Sequence, residues 1–194
     1  MKSHTKNLVI FFILSFLMLF TRFNHFGSSV SFPDASLAVL LLSGFFLARS
    51  FKLSLAAFAL LLLEAGAIDY YATQFAGVSD WCITPAYWFL VPTYATMWLA
   101  GHWLASRPQK SLGDLTMFGG ASCLAISVAF VISNGSFYFL SGRYTEMNLS
   151  EYAEYVARYY PPYLSGSLMY LTLAVGVYIL LSSLHKSSIT AKAG

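Results

Sequence analysis

Six long apolar runs, separated by short polar breaks, are the feature that most constrains the fold of this sequence. They cover residues 8–23, 35–49, 53–74, 86–105, 115–140 and 163–185. A helix needs about 20 mostly apolar residues to cross the hydrocarbon of a bilayer, and only 10% of the 194 residues are charged. The sequence therefore predicts an all-α integral membrane protein, a bundle of six transmembrane helices that forms a single domain over residues 1–194.

Two of these runs leave alternatives open. The second run, 35–49, is short for a perpendicular crossing, so we expect it either to extend back across Pro33 or to be sheltered by its neighbours. The first run follows "MKSHTK" and has the composition of a secretory signal. Because no small-x-small cleavage site follows it, we interpret it as an uncleaved first span.

The distribution of basic residues predicts the orientation. With the N-terminus inside, eight basic residues face the cytoplasm and three, Arg22, Arg143 and Arg158, lie outside. This excess predicts a multi-pass membrane protein with both termini in the cytoplasm. The net charge of +3 is too small and dispersed to indicate nucleic acid, and the sequence has no GxxxxGK[ST] loop for a nucleotide.

The longest polar segment, 143–163, carries the signals of a short helix. Asn148 and Glu151 have the spacing of a capping box, and Pro161–Pro162 is expected to end the helix. An apolar and aromatic face follows at helical spacing, made of Tyr152, Tyr155, Val156 and Tyr159. This amphipathic external helix is predicted either to lie in the membrane interface or to roof a pocket.

Cys82 lies in the external loop "GVSDWCITPAY" and is the first candidate for chemistry. The other cysteine, Cys123, falls in the middle of the fifth run, and that difference in depth disfavours a disulfide, which needs α carbons within about 7 Å. We expect Cys82 to be an unpaired, sheltered thiol, although a small residue simply packed in the loop remains the alternative. A thiolate there would be a metal ligand or a nucleophile.

Asp69 is the second candidate, because it lies within the third run. An acid in the hydrocarbon usually faces a cavity or a partner, and the alternative is a hydrogen bond to a neighbouring helix. Glu64 projects about 140° away from Asp69 on the same helix, which argues against a shared carboxylate pair. We therefore assign Glu64 a structural, helix-bridging role.

Four further residues have both a functional and an ordinary interpretation. His25 could ligate a metal or bond an amide of a ligand, and Tyr87 closes the cysteine loop but also suits an aromatic belt. Arg158 could contact a ligand or pair with Glu154 four residues earlier. His102, at the cytoplasmic end of the fourth run, is interpreted as structural.

The predicted topology places several of these candidates on one side of the membrane. They are His25, Asp69, Cys82, Tyr87 and Arg158. Together with the aromatic face of the 148–159 segment, they predict a lidded external pocket for a large, partly apolar ligand.

Three stretches of the sequence resemble a known family. "HFG...FPDASLAVLLLSGFFL", "AIDYYATQFAGVSDWCITPAYWFLVPTYATMWLAGHW" and "YYPPYLSGSLMY" are similar to the BtuM family of bacterial vitamin B12 uptake proteins, which resemble the substrate-binding S-components of ECF transporters. The likeness covers most of the chain from His25 onward. Its most specific part is Asp69, Cys82 thirteen residues later and Tyr87 five beyond that.

The resemblance implies binding and uptake of cobalamin or other corrinoids through a pocket that faces the periplasm. It implies that Cys82 ligates the corrinoid cobalt and promotes removal of cyanide from cyanocobalamin, a catalytic role within a protein that is primarily a transporter. It further implies that Asp69, Tyr87, His25 and Arg158 bind the substrate. The expected partners are thus a corrinoid and the lipid bilayer, with no bound nucleotide or nucleic acid.

The first run departs from the small-residue pattern by which S-components dock on an energising ATPase module. Ser15 is the only small residue in "LVIFFILSFLMLF", and close helix approach needs small side chains. The departure favours a solitary transporter or a different partner. Two other functions stay open: an S-component-like transporter for another vitamin, and a membrane thiol oxidoreductase acting through Cys82, although such enzymes usually have a nearby resolving cysteine.

Overall fold

The protein is a bundle of helices throughout the residues that its computed structural model describes, 3–24, 32–108 and 111–193. The helices are α1 (Ser3–Asn24), α2 (Ser36–Phe46), α3 (Phe51–Phe75), α4 (Leu90–Ala105), α5 (Leu112–Leu140), α6 (Leu149–Ala157) and α7 (Tyr160–Ala193). Two short 3₁₀ turns, Asp80–Cys82 and Pro85–Phe89, lie in the connection between α3 and α4. Within these described ranges, the all-α prediction is confirmed.

Four helices of the described chain are long and apolar enough to cross a membrane. They cover Thr5–Phe23, Phe51–Phe75, Leu112–Leu140 and Tyr160–Leu184. The predicted count of six spans is therefore met only in part. The other two runs form α2, with 11 residues, and α4, with 16 residues, and both are shorter than the usual length of a membrane-crossing helix.

Helix α2 lies inside the bundle. Its residues Ser36–Gly44 are all buried, and it contacts α1, α3, α4 and α7. A helix that is apolar on all sides is typical of a protein interior. Of the two alternatives for this run, sheltering by neighbours is correct: residues 32–35 are not helical, so α2 does not extend back across Pro33.

Two glycines allow α2 and α4 to cross in direct backbone contact. A β carbon added to Gly101 of α4 would lie 1.9 Å from the carbonyl oxygen of Leu41, and one added to Gly44 of α2 would lie 2.1 Å from that of Trp98. Small residues at a crossing permit this approach between helices in membranes. The crossing fixes α4 against the buried α2.

Helix α6 has the predicted N-terminus but a different end. The Asn148 side chain accepts from the Glu151 backbone N–H, and the Glu151 carboxylate accepts from the Asn148 N–H, both at 3.0 Å, so the capping box is confirmed. The helix ends at Ala157, and Pro161 and Pro162 lie in the first turn of α7. Proline suits a first turn because the backbone N–H groups there have no partner within the helix.

Candidate functional site: an aromatic cavity

A cavity of about 640 Å³ lies at the end of the bundle where α1 ends and α2, α4 and α7 begin. Ten of its 26 lining residues are aromatic: Trp81, Tyr87, Phe89, Tyr94, Phe137, Tyr144, Tyr152, Tyr155, Tyr159 and Tyr163. Charged side chains in its wall are Arg22, Asp34 and Asp69, and Cys82 lines it as well. Its size falls in the range of about 300–1,000 Å³ that is usual for small-molecule sites.

The connection between α3 and α4, residues 77–89, forms one wall of the cavity and is called the Cys82 loop below. It leaves α3 through Gly77, whose φ of +71° is in the region that favours glycine. The Ser79 hydroxyl accepts from the Trp81 N–H and the Thr84 hydroxyl accepts from the Ala86 N–H. These local bonds cap the two 3₁₀ turns and set the path of the chain around Cys82.

Cys82 is unpaired, as predicted, but it is not sheltered. Both Cys82 and Cys123 are free thiols, and the Cys82 residue is exposed even though it lines the cavity. The expectation of a sheltered thiol is therefore wrong, because the loop presents Cys82 at the cavity edge. Partial burial nevertheless raises the pKa of this thiol; Asp69 raises it further, and Arg143 opposes both effects.

Asp69 faces a partner in the neighbouring helix as well as the cavity. Arg22 of α1 donates from Nε to Asp69 Oδ1 at 2.7 Å and from Nη2 to Asp69 Oδ2. Both residues are buried, at 7% and 6% exposure. A bidentate pair of this kind fixes the plane of the carboxylate, and the pair connects α1 to α3.

Arg22 also joins this ion pair to α2 and α4. Its Nη1 donates to Asp34 at 3.0 Å, to the Ser36 hydroxyl at 3.1 Å and to the Tyr94 hydroxyl at 2.7 Å. The Asp34 side chain is the more open acid, with 32% exposure. One guanidinium thus serves two carboxylates, and the cluster carries a net negative charge when both acids are ionised.

Tyr87 connects the Cys82 loop to the same cluster. Its hydroxyl donates to Asp69 Oδ2 at 2.8 Å. Asp69, Cys82 and Tyr87, whose spacing was the most specific part of the resemblance, all line this one cavity. The fold therefore brings together three of the five residues selected from the sequence.

Helix α6 lies over the cavity with the face predicted from its pattern. All four residues of the predicted face line the cavity: Tyr152, Tyr155 and Val156 in α6, and Tyr159 in the turn that follows it. The Tyr152 hydroxyl donates to the Asn134 carbonyl at 3.0 Å and ties α6 to α5. Of the two alternatives predicted for this helix, α6 forms a roof over the cavity.

The remaining sequence candidates have other surroundings. Arg158 lies outside the set of residues that line the cavity; its guanidinium lies 4.0 Å from the centre of the Tyr155 ring, and its Nε donates to the Tyr155 carbonyl. His25 lies outside the described residues. Glu64 accepts from the Ser15 hydroxyl at 2.8 Å, which agrees with the helix-bridging role. His102 stacks on Trp98 at the opposite end of the bundle.

Sequence reasoning missed Arg22, Asp34 and Tyr94. Arg22 was counted only as an external charge. An acid within a membrane span, such as Asp69, usually has a partner, and Arg22 is the cation at the end of the first span. Among the described residues, no three His, Cys, Asp or Glu side chains are grouped as ligands of a metal ion.

Comparisons with known proteins found no match for this chain. No family model matches the chain, and no curated protein matches it in sequence.

Proposed function

We propose that this protein binds cobalamin or a related corrinoid and takes it up across the bacterial inner membrane, with Cys82 as a ligand of the cobalt. The observation that supports the proposal is the convergence of Asp69, Cys82 and Tyr87 on one cavity whose lining includes ten aromatic residues. A corrin supplies four nitrogen ligands to its cobalt, so the protein needs to provide only one more. The exposed thiol at the cavity edge suits that role, because soft thiolates are ligands of transition metals.

The binding step follows from the chemistry of the thiol. Cys82 loses its proton to solvent, and the thiolate sulfur donates an electron pair to Co(III) in place of the lower nucleotide base. The strong sulfur donor weakens the bond to cyanide on the opposite face, and release of cyanide with reduction to Co(II) requires one electron from an outside reductant.

The visible spectrum of the purified protein with cyanocobalamin tests this proposal. We expect wild type and Cys123→Ser to bind the corrinoid with a shifted spectrum, because Cys123 does not line the cavity. Cys82→Ala should lose the shift. No binding by wild type, or the same shifted spectrum in Cys82→Ala, would exclude cobalt ligation by Cys82.

Growth on a corrinoid separates the transport alternatives. A B12-dependent strain without its own uptake system should grow on low corrinoid when it carries the wild-type protein alone. A lack of rescue would favour another vitamin or a missing energising module, and a mixed disulfide trapped at Cys82 with a partner protein would favour the thiol oxidoreductase.

A further inference from the structure

We propose that Arg22 is a positioning residue for the Cys82 loop, and that it acts through Asp69 and Tyr87. The inference rests on the proposed function in one respect: the position of Cys82 matters because its sulfur is the proposed ligand. It assigns Asp69 a different task from the substrate contact that the resemblance implies.

Packing holds the large apolar side chains of the loop weakly. Trp81, Ile83 and Trp88 are 48%, 47% and 77% exposed, whereas the small Ala86 is buried. A segment with few buried apolar contacts opens locally at low cost unless other interactions hold it. The position of Cys82 therefore depends on specific contacts between the loop and the bundle.

Two side-chain contacts flank Cys82 in the described chain, in addition to the packing of the turn Pro85–Phe89 against α4 and α5. Before it, the Arg143 guanidinium lies 4.3 Å from the centre of the Trp81 ring. After it, the Tyr87 hydroxyl donates to Asp69 at 2.8 Å. The first is an exposed cation–π contact, a weak class of interaction. The second is a hydrogen bond to a buried carboxylate, a stronger class of interaction.

The bond from Tyr87 has a fixed direction because Arg22 fixes its acceptor. Asp69 Oδ1 accepts from Arg22 Nε, and Oδ2 accepts from both Arg22 Nη2 and Tyr87. Arg22 is itself held by Asp34, Ser36 and Tyr94. With three of its acceptor positions used and 6% of its surface exposed, Asp69 is occupied by the protein. Its carboxylate serves to transmit the position of Arg22 to the loop.

Tyr87→Phe and Tyr94→Phe form a matched pair for the test. Each removes one hydroxyl bonded to the cluster, but only Tyr87 lies on the path from Arg22 to the loop. A nitroxide spin label is attached to Cys82 in a Cys123→Ser background, and its mobility is measured by electron paramagnetic resonance without ligand. We expect Tyr87→Phe to shorten the rotational correlation time by about twofold or more, because the tether is lost. Tyr94→Phe should change it much less, because Asp34 and Ser36 still hold Arg22.

Arg22→Lys extends the test to the first residue of the path. Lysine keeps the charge but cannot pair with both carboxylate oxygens, so we expect label mobility between those of the parent and Tyr87→Phe. Adding Arg22→Lys to Tyr87→Phe should have no further effect. Parent-like mobility in Tyr87→Phe, or an equal increase in Tyr94→Phe, would overturn the proposal. These readouts need no corrinoid, so they succeed or fail independently of the proposed function.

Discussion

Gly101 of α4 lies directly against the carbonyl oxygen of Leu41 in α2, so that a β carbon on Gly101 would come within 1.9 Å of it. Gly44 has the reciprocal relation to Trp98. Both obstructing atoms belong to the backbone, which cannot move aside as a flexible side chain can. The crossing of α2 and α4 therefore requires glycine at both positions.

Gly101→Ala should lower the free energy of unfolding by about 1–3 kcal/mol, the usual cost of overpacking. Gly120→Ala in α5 is the matched control, because a β carbon there meets open space, and alanine in a helix is favoured over glycine by up to about 1 kcal/mol. Unfolding in mild detergent, followed by tryptophan fluorescence, measures both changes. Equal stability of the two variants would contradict the described crossing.

Arg22→Met should destabilise the protein by about 3–5 kcal/mol, because it leaves the buried Asp69 without its charged partner. Asp69→Asn should cost less, because Arg22 keeps its ion pair with Asp34. The double variant should lose less than the sum, since the two residues bond each other. The same unfolding assay gives the coupling energy. The comparison is the coupling energy of Ser15→Ala and Glu64→Gln, which change the other hydrogen-bonded pair between α1 and α3. Additive losses for Arg22 and Asp69 would mean that the pair is not formed.

The reaction of Cys82 with iodoacetamide should have a midpoint pH above the ordinary thiol pKa of about 8.5. Burial and Asp69 raise the pKa of this thiol, and the thiolate is the reactive form. The charge of Arg143 has the opposite effect, so Arg143→Gln should move the midpoint higher and Asp69→Asn should move it lower. The midpoint is read from rates between about pH 6 and 11 in a Cys123→Ser background. Shifts in the reverse directions would contradict the described surroundings of Cys82.

Asn148→Ala should destabilise α6 by about 1 kcal/mol, because it removes the side chain that caps the helix. Backbone amides of Leu149–Ala157 should then exchange with deuterium about fivefold faster, and the proposed corrinoid affinity should fall as the roof loosens. Ser111→Ala removes the corresponding cap of α5 and should leave exchange in α6 unchanged. If the amides of α6 exchanged at the same rate in Asn148→Ala and Ser111→Ala, the Asn148 cap would not be what stabilises α6.

The sequence predicted the helices and part of the site because those features depend on local pattern. The apolar runs located α1 to α5 and α7, and the pair Asn148 and Glu151 located the start of α6. The exposure of Cys82 was not predictable, because it depends on how the loop lies across the end of the bundle. The burial of Arg22 was missed because a charge at the end of a span is usually solvated. Only the position of Asp69, next to Arg22 in the folded bundle, indicates that this charge is buried.

The short α2 has a consequence for the distance that a ligand must travel. Its 11 residues span about 16 Å, roughly half of the hydrocarbon thickness of a bilayer. The cavity continues from the N-terminal end of α2, at Asp34 and Leu37. For the proposed uptake of a corrinoid, α2 would be the buried barrier beyond these residues, and it is shorter than a helix that crosses the whole hydrocarbon.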